Sequence, residues 1–387
     1  MSLMPEQTLE QRLDQKPGHG MPEQMLEQPI MDVVNLVKEY DGDGGGRSLK
    51  RVAAPVRAVA DVSFSIRRAE TLSLVGESGC GKTTLGRCLV RGIEPTSGQV
   101  NYRMEDGRSI DFLKATKQEY KAIRPGIQMI FQDPYSSLNP RMTVYEIISE
   151  PLRAFGGLSK AEIDERVRTI AGQTGLDPSF LKRYPHAFSG GQRQRIGIAR
   201  ALVTRPKVVV CDEAVSALDV SVQAQIINLL KDLQQQYEMT YLFISHDLSV
   251  VKHISDRIAV MYLGKIIELS DAKALFRQPL HPYTEALISS APRPDPEVKK
   301  ERIILQGEVP NPASPPSGCR FHPRCAYRTS LCEQTEPELR AMKDGRLVAC
   351  HYAEELNLQG VSAFGPGASL ESSRNSASVQ QELASLV

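Results

Sequence analysis

The chain has 387 residues, 41% of them hydrophobic, and its 47 basic and 46 acidic side chains leave a net charge of +1. That length and apolar share allow one substantial α/β core with a smaller appendage, and the balanced charge argues against a surface built for nucleic acid. No apolar run approaches the roughly 18 to 20 residues that span a bilayer, and the polar N-terminus lacks a signal-peptide core; the chain is expected to stay in the cytosol and to leave any membrane spanning to another polypeptide.

In chain order, Met4-Pro-Glu-Gln-Thr-Leu-Glu-Gln11 recurs almost unchanged as Met21-Pro-Glu-Gln-Met-Leu-Glu-Gln28. Two copies in polar, Gln- and Glu-rich sequence predict a duplicated flexible leader, not a repeat fold. Val33 to Val37 and Val62 to Ile66 alternate apolar with polar residues, as antiparallel strands do. Thr71 to Val75 then reads as a buried strand and Thr84 to Val90 as a helix. Between them Gly76-Glu77-Ser78-Gly79-Cys80-Gly81-Lys82-Thr83 fits the phosphate-loop pattern. Glycines there let backbone N–H groups wrap phosphates, the helix N-terminus adds positive potential, Lys82 would reach the β and γ phosphates, and Thr83 would hold Mg²⁺. An ordinary glycine turn is the bland alternative, and the strand-to-helix setting argues against it.

Ile127 to Phe131 leads into Gln132, whose amide could reach Mg²⁺ or an attacking water. A largely helical segment follows Met142 to about Arg183. Ser189-Gly190-Gly191 then opens a helix, Gln192 to Leu202, and forms a second anion-binding terminus: the serine caps and the glycines expose N–H groups. Lys207 to Cys211 is a continuous apolar run bounded by Pro206 and two acids, the pattern of a central parallel strand whose carboxyl end faces a ligand. Asp212 stands where a carboxylate would hold Mg²⁺, and Glu213 is the candidate for polarising water. Tyr241 to Ser245 is a further short strand, ending at His246, which could sense the γ phosphate and position the water.

With Ser189-Gly190-Gly191-Gln192 added, the set resembles the ATP-binding cassette family over roughly residues 31 to 355. Gly76 to Thr83 matches its Walker A, with Thr84 following; Gln132 matches its Q-loop, and Phe188 to Gln192 its signature, with Phe for the usual Leu. Asp212 and Glu213 match its Walker B, Ser216 to Asp219 its D-loop and His246 its switch histidine. Ala214-Val215 departs from the more usual Pro-Thr. The resemblance implies an α/β phosphate-loop NTPase: a RecA-like core, an antiparallel β part, a helical subdomain at about 142–200, and a small cysteine-containing C-terminal extension. It also implies an aromatic stacked on adenine, and Tyr40 is the one aromatic between Glu39 and Ala58. Two cassettes of this family pair head to tail, so that Ser189 to Gln192 and Asp219 would complete a partner's ATP site. The implied organisation is a leader (1–30), a cassette (31–270), a C-terminal region (271–356) and a disordered tail (357–387).

Of seven cysteines, Cys80, Cys88 and Cys211 read as small buried residues. The other four, Cys319, Cys325, Cys332 and Cys350, have spacings C-x5-C-x6-C-x17-C. In a reducing compartment a metal site is more attractive than disulfides, but the spacings lack the paired C-x2-C of zinc ribbons and leave zinc, an iron–sulfur cluster or free thiols open. His322 and His351 are adjacent alternative ligands. A narrower resemblance enters here: His281-Pro282-Tyr283-Thr284, Gly307 to Pro312 and Gly318 to Cys325 look like the C-terminal region of oligopeptide/dipeptide importer ATPases. In such relatives a [4Fe–4S] cluster can occupy this cysteine set, which makes that group the expectation and zinc the alternative.

The implied function is the ATP-hydrolysing subunit of a peptide importer, peripheral on the cytoplasmic face of the inner membrane. Its implied partners are an identical or paralogous ATPase, two transmembrane permeases and, indirectly, a substrate-binding protein, with no nucleic acid. A non-transport cassette ATPase in repair, translation or cofactor assembly is the alternative class. Within import, nickel or glutathione is the alternative cargo.

Overall fold

The computed structural model describes residues 28–42, 53–291 and 303–360. The duplicated leader, the tail beyond 360 and most of the Gly-rich stretch after Tyr40 lie outside the described residues. Along the chain run β1 (Pro29–Gly42), β2 (Ala53–Arg67), β3 (Thr71–Val75), α1 (Lys82–Leu89), β4 (Ser97–Arg103), β5 (Ser109–Asp111), α2 (Lys117–Ile123) and β6 (Ile127–Ile130). There follow α3 (Val144–Phe155), α4 (Lys160–Gln173), α5 (Gly190–Leu202), β7 (Val208–Asp212), α6 (Val220–Tyr237), β8 (Thr240–Ile244), α7 (Leu248–Ile254), β9 (Arg257–Tyr262) and β10 (Lys265–Asp271). The C-terminal part adds α8 (Ala272–Arg277), α9 (Pro282–Ser290), α10 (Ser330–Gln334), β11 (Arg340–Ala341) and β12 (Leu347–Val348).

Two sheets form. A four-stranded sheet has the order β2-β1-β4-β5, and an eight-stranded sheet the order β11-β12-β10-β9-β3-β8-β7-β6. In the larger one, β6, β7, β8, β3 and β9 are parallel neighbours, while β10 turns back antiparallel on β9. β3, β7 and β8 are buried at every position. That is why each reads as an unbroken apolar run: both faces of a parallel strand are covered.

Strand alternation assigns the two faces. Val208, Val210, Leu242 and Ile244 share one core with the antiparallel strands, including Val33, Val62 and Phe64. Val209, Cys211, Tyr241 and Phe243 share the other with the helical segment, including Ile147, Val167, Ile196 and Ile198. Three successive helices of that segment start with the same device. Thr143 with Glu146, Ser159 with Glu162 and Ser189 with Gln192 each form a reciprocal capping box, which satisfies N–H groups that a helix start leaves unpaired.

The sequence reading placed the glycines of Ser189-Gly190-Gly191 ahead of a helix starting at Gln192; the helix starts at Gly190. The box needs Gln192 at the third helical position, so both glycines are in the first turn. The C-terminal part packs on the same sheet. β12 pairs with β10 through Glu268 and Leu269, and Val75 at the end of β3 packs in one cluster with Tyr262, Tyr283 and Phe321.

Candidate active site

Because β3, β6, β7 and β8 are parallel, their carboxyl ends fall on one edge of the sheet, the place where open α/β sheets bind ligands. The chain leaves β3 into Gly76, β6 toward Gln132, β7 into Glu213 and β8 toward His246. Residues more than a hundred positions apart meet there by topology alone.

The loop from Gly76 to Gly81 is shaped by close backbone approach. A Cβ on Gly76 (φ 155°) would lie 2.2 Å from the Met261 carbonyl oxygen, and one on Gly81 (φ 109°) 2.1 Å from that of Ala58. No side chain fits at either position. Ser78 and Gly79 are exposed at the loop tip, whereas Cys80 is buried. Gly81 forms the N-cap of α1 without a side-chain bond, so the first-turn amides, with Thr84 among the residues carrying them, have no capping side chain. Lys82, 5% exposed, donates from Nζ to the carbonyls of Gly76 (2.8 Å) and Glu77 (2.9 Å). Its ammonium is thus held at the inner rim of the loop.

Thr83 donates from Oγ1 to Asp212 Oδ1 at 2.9 Å. Burial pushes the Asp212 carboxyl above its ordinary value, and the Thr83 hydroxyl opposes that rise. Hydroxyl, carboxylate and the amide oxygen of Gln132 are hard oxygen donors, the kind Mg²⁺ takes. Glu213 follows β7 in a left-handed turn (φ 47°), with its N–H on the Ile244 carbonyl at 3.0 Å. In this turn the Glu213 carboxylate meets two groups from other strands. Gln132 Nε2 donates to Oε2 at 2.7 Å, and His246 Nδ1 lies 3.3 Å from Oε1. A non-glycine residue held in this conformation marks a position where the surrounding fold sets the backbone.

The residues expected to complete a partner's ATP site stand apart from this cluster. Among the described residues, no hydrogen bond or ion pair joins Ser189, Gly190, Gly191 or Gln192 to the segment Gly76 to Thr84. Ser189 Oγ accepts from Gln192 N at 3.3 Å, and a Cβ on Gly191 would meet Val222 Cγ1 at 2.6 Å. Asp219 is exposed at the start of α6 and makes no side-chain cap. Tyr40, 38% exposed, pairs with Val56 at the end of β1 and carries the Lys38 ammonium 5.0 Å over its ring. β2 runs on from Val56 to Ala58, against Gly81, which brings Tyr40 to the neighbourhood of the loop.

Cys319, Cys325, Cys332 and Cys350 all line one small cavity, with His281, His322, His351, Tyr327 and Tyr352 around it. Among the described residues no group of three or more His, Cys, Asp or Glu side chains is gathered closely enough to hold a metal ion. The expected cluster is therefore not prefigured by a closed ligand set, although four sulfur donors surround one space. Burial raises the Cys350 thiol to about 11 and the Cys325 thiol to about 12, with the neighbouring cysteines adding to the rise. Thiolates so close repel, and a bound cation is what would let them converge. Cys80, Cys88 and Cys211 are buried, free thiols, as the sequence reading had them.

The sequence reading missed what supports the loop. Tyr283 and Arg324 reach Glu77 from beyond β10, and their spacing along the chain offers no signal for it.

Comparison with known proteins shows what the chain as a whole is similar to. Residues 59–216 match the ABC transporter family, and residues 267–332 the oligopeptide/dipeptide transporter C-terminal region. A probable peptide ABC transporter ATP-binding protein, y4tS of Sinorhizobium fredii, is 53% identical over 322 residues, covering 83% of this chain and 89% of that protein. The oligopeptide transport ATP-binding protein AppF of Bacillus subtilis is 52% identical over 317 residues, covering 81% and 95%. Among solved structures, cbiO1 of Clostridium perfringens superposes with a TM-score of 0.54 at 28% identity, over 65% of this chain and 91% of that one. The ATP-binding cassette MJ0796, in a dimeric post-hydrolysis state with ADP and phosphate, superposes with a TM-score of 0.53 at 27% identity, over 62% and 98%.

Proposed function

The chain belongs to the ABC transporter ATP-binding family, and on that footing we propose that it is the ATPase of a di- or oligopeptide importer. The observation that carries the reading is the Glu213 carboxylate, which gathers Gln132 and His246 at the strand end beside the Thr83–Asp212 pair. Tyr40 stacks on the adenine, and the amides of Gly76 to Thr84, with the Lys82 ammonium, take the phosphates. Glu213 draws on the proton of the attacking water while His246 orients that water against the γ phosphate. Thr83, Asp212 and Gln132 would hold Mg²⁺, whose chemistry when bound is to neutralise charge on the transferring phosphoryl group.

Ser189, Gly190, Gly191 and Gln192, with Asp219, serve the ATP of a second cassette, identical or paralogous, because they present a capped helix start that this chain's own loop does not use. Permeases supply the membrane crossing: among the described residues no helix is long and apolar enough to span a bilayer. On this reading the chain is peripheral, on the cytoplasmic face, as likeness to importer ATPases implies. Peptide cargo rests on the similarity of the C-terminal region and of the relatives. Cys319, Cys325, Cys332 and Cys350 would hold a [4Fe–4S] cluster, which supplies the positive charge that buried thiolates need to converge; zinc in its place would show as stoichiometric zinc without iron in anaerobically purified protein.

Glu213→Gln tests the reading. The variant is expected to bind ATP and accumulate as a closed dimer while turnover falls by about 10²- to 10⁴-fold. Near-normal hydrolysis would remove Glu213 from the chemistry, and recovery from membranes with no integral membrane protein would remove the importer.

A further inference from the structure

The second residue of the phosphate loop is gripped by a part of the chain that carries none of the nucleotide-site residues. The Glu77 N–H donates to Tyr283 Oη at 2.8 Å. The Glu77 carboxylate receives a two-pronged bond from Arg324, with Nη1 to Oε2 at 2.7 Å and Nη2 to Oε1 at 3.1 Å. Tyr283 lies in α9, and Arg324 immediately precedes Cys325. The Arg324 side chain is 7% exposed and that of Glu77 27%, so water screens this pair far less than a surface pair. Tyr262 Oη accepts from Arg324 Nη1 at 3.4 Å, and the rings of Tyr262, Tyr283 and Phe321 pack with centroids 4.7 to 5.5 Å apart. The grip is built on rigid parts.

Glu77 is also the residue whose carbonyl holds Lys82 Nζ at 2.9 Å. One residue therefore joins the C-terminal region to the ammonium expected to meet the phosphates. Its carboxylate is otherwise a liability, because a negative charge within a loop that receives a polyanion repels the ligand. The Arg324 fork cancels that charge and keeps the carboxylate on the side facing the C-terminal region.

We propose that Arg324 and Tyr283 are positioning residues for nucleotide binding: Arg324 neutralises Glu77 and holds it off the phosphates, and Tyr283 anchors the amide of the loop's second residue. The C-terminal region thereby sets ATP affinity without touching ATP. The proposal rests on the ATPase reading above, and its test separates the two.

ATP hydrolysis by the full chain is measured against ATP concentration for Arg324→Ala, Arg324→Lys and the double variant Arg324→Ala/Glu77→Gln, alongside binding of a fluorescent ATP analogue. Arg324→Ala is expected to raise KM and the analogue's Kd about tenfold with kcat changed less than about twofold. Lysine, which keeps the charge but not the fork, should fall between. Removing the Glu77 charge in the double variant should return KM to within about threefold of the starting protein, a recovery that a misfolded variant would not show. An unchanged KM in Arg324→Ala overturns the proposal, as does an equal loss in the single and double variants. Failure of the unsubstituted chain to bind the analogue overturns the ATPase reading and this proposal with it.

Discussion

Buried ionisable groups at the root of α9 make the stability of this protein depend on pH in two opposed ways. Glu268, with no exposed surface, accepts from the amides of Leu280 and His281, each at 2.9 Å. Burial raises its pKa to about 7 from 4.5, against the pull of those bonds. Between those values the folded protein keeps a proton that the unfolded chain releases, so stability falls as pH rises through the window. His281 is buried beside it, its Nδ1 accepting from Tyr283 N at 3.1 Å, and burial lowers its pKa to about 3 from 6.5. Here the unfolded chain takes the proton first, so stability is lost as pH falls from 6.5 toward 3. Over its full window the Glu268 effect is on the order of 3 kcal/mol and the His281 effect on the order of 5 kcal/mol, and the two cancel in part between pH 4.5 and 6.5. Urea midpoints of Glu268→Gln should therefore rise steadily across that interval, where the unsubstituted protein is nearly flat. A flat profile in the variant would show that His281 carries no such penalty. Neither group was legible as special in the sequence. His281 stands in the run His281-Pro282-Tyr283-Thr284 and Glu268 is an ordinary acid in an apolar strand; burial gives them these properties.

At the scale of elements, the three capping boxes of the helical segment were open to sequence reading, because a Ser or Thr followed three residues later by Glu or Gln is a local pattern. The cap at Ser189 also makes a role at a partner's site separable from a structural one. Ser189→Ala should cost about 1 kcal/mol of stability, as loss of an N-cap does. If its hydroxyl also faces a partner's phosphate, turnover should fall by about 10²-fold while the urea midpoint moves only slightly; a loss of turnover no larger than the loss of stability would leave Ser189 as a cap alone. Loop geometry sets a sharper limit. Gly81→Ala would drive a Cβ to 2.1 Å from the Ala58 carbonyl, and because the opposing atom is backbone, nucleotide binding should be lost, as measured by the fluorescent analogue. The pattern of glycines announced a phosphate loop, but which neighbour each glycine admits followed from β2 and β9 packing on it.

For the molecule as a whole, the C-terminal region and the cassette share one sheet and one core. β12 extends the sheet through β10, and Phe321, 2% exposed, packs with Val75 of the strand that feeds the phosphate loop. Phe321→Ala should cost about 3–5 kcal/mol and shift a single cooperative unfolding transition; two separated transitions would mean that the C-terminal region folds independently. Local order was what the sequence by itself determined: the phosphate loop, the signature helix start, and the apolar strands ending in Gln132, Asp212–Glu213 and His246. Each of these depends on near neighbours, through strand burial, caps and glycine backbone freedom. Only the tertiary structure decided which of them meet. Parallel pairing brought four strand ends to one edge, the left-handed turn at Glu213 joined Gln132 to His246, and the shared core put Tyr283 and Arg324 on Glu77. Those contacts span from about thirty to about two hundred and fifty residues of chain, a range over which hydrophobic periodicity and short motifs carry no information.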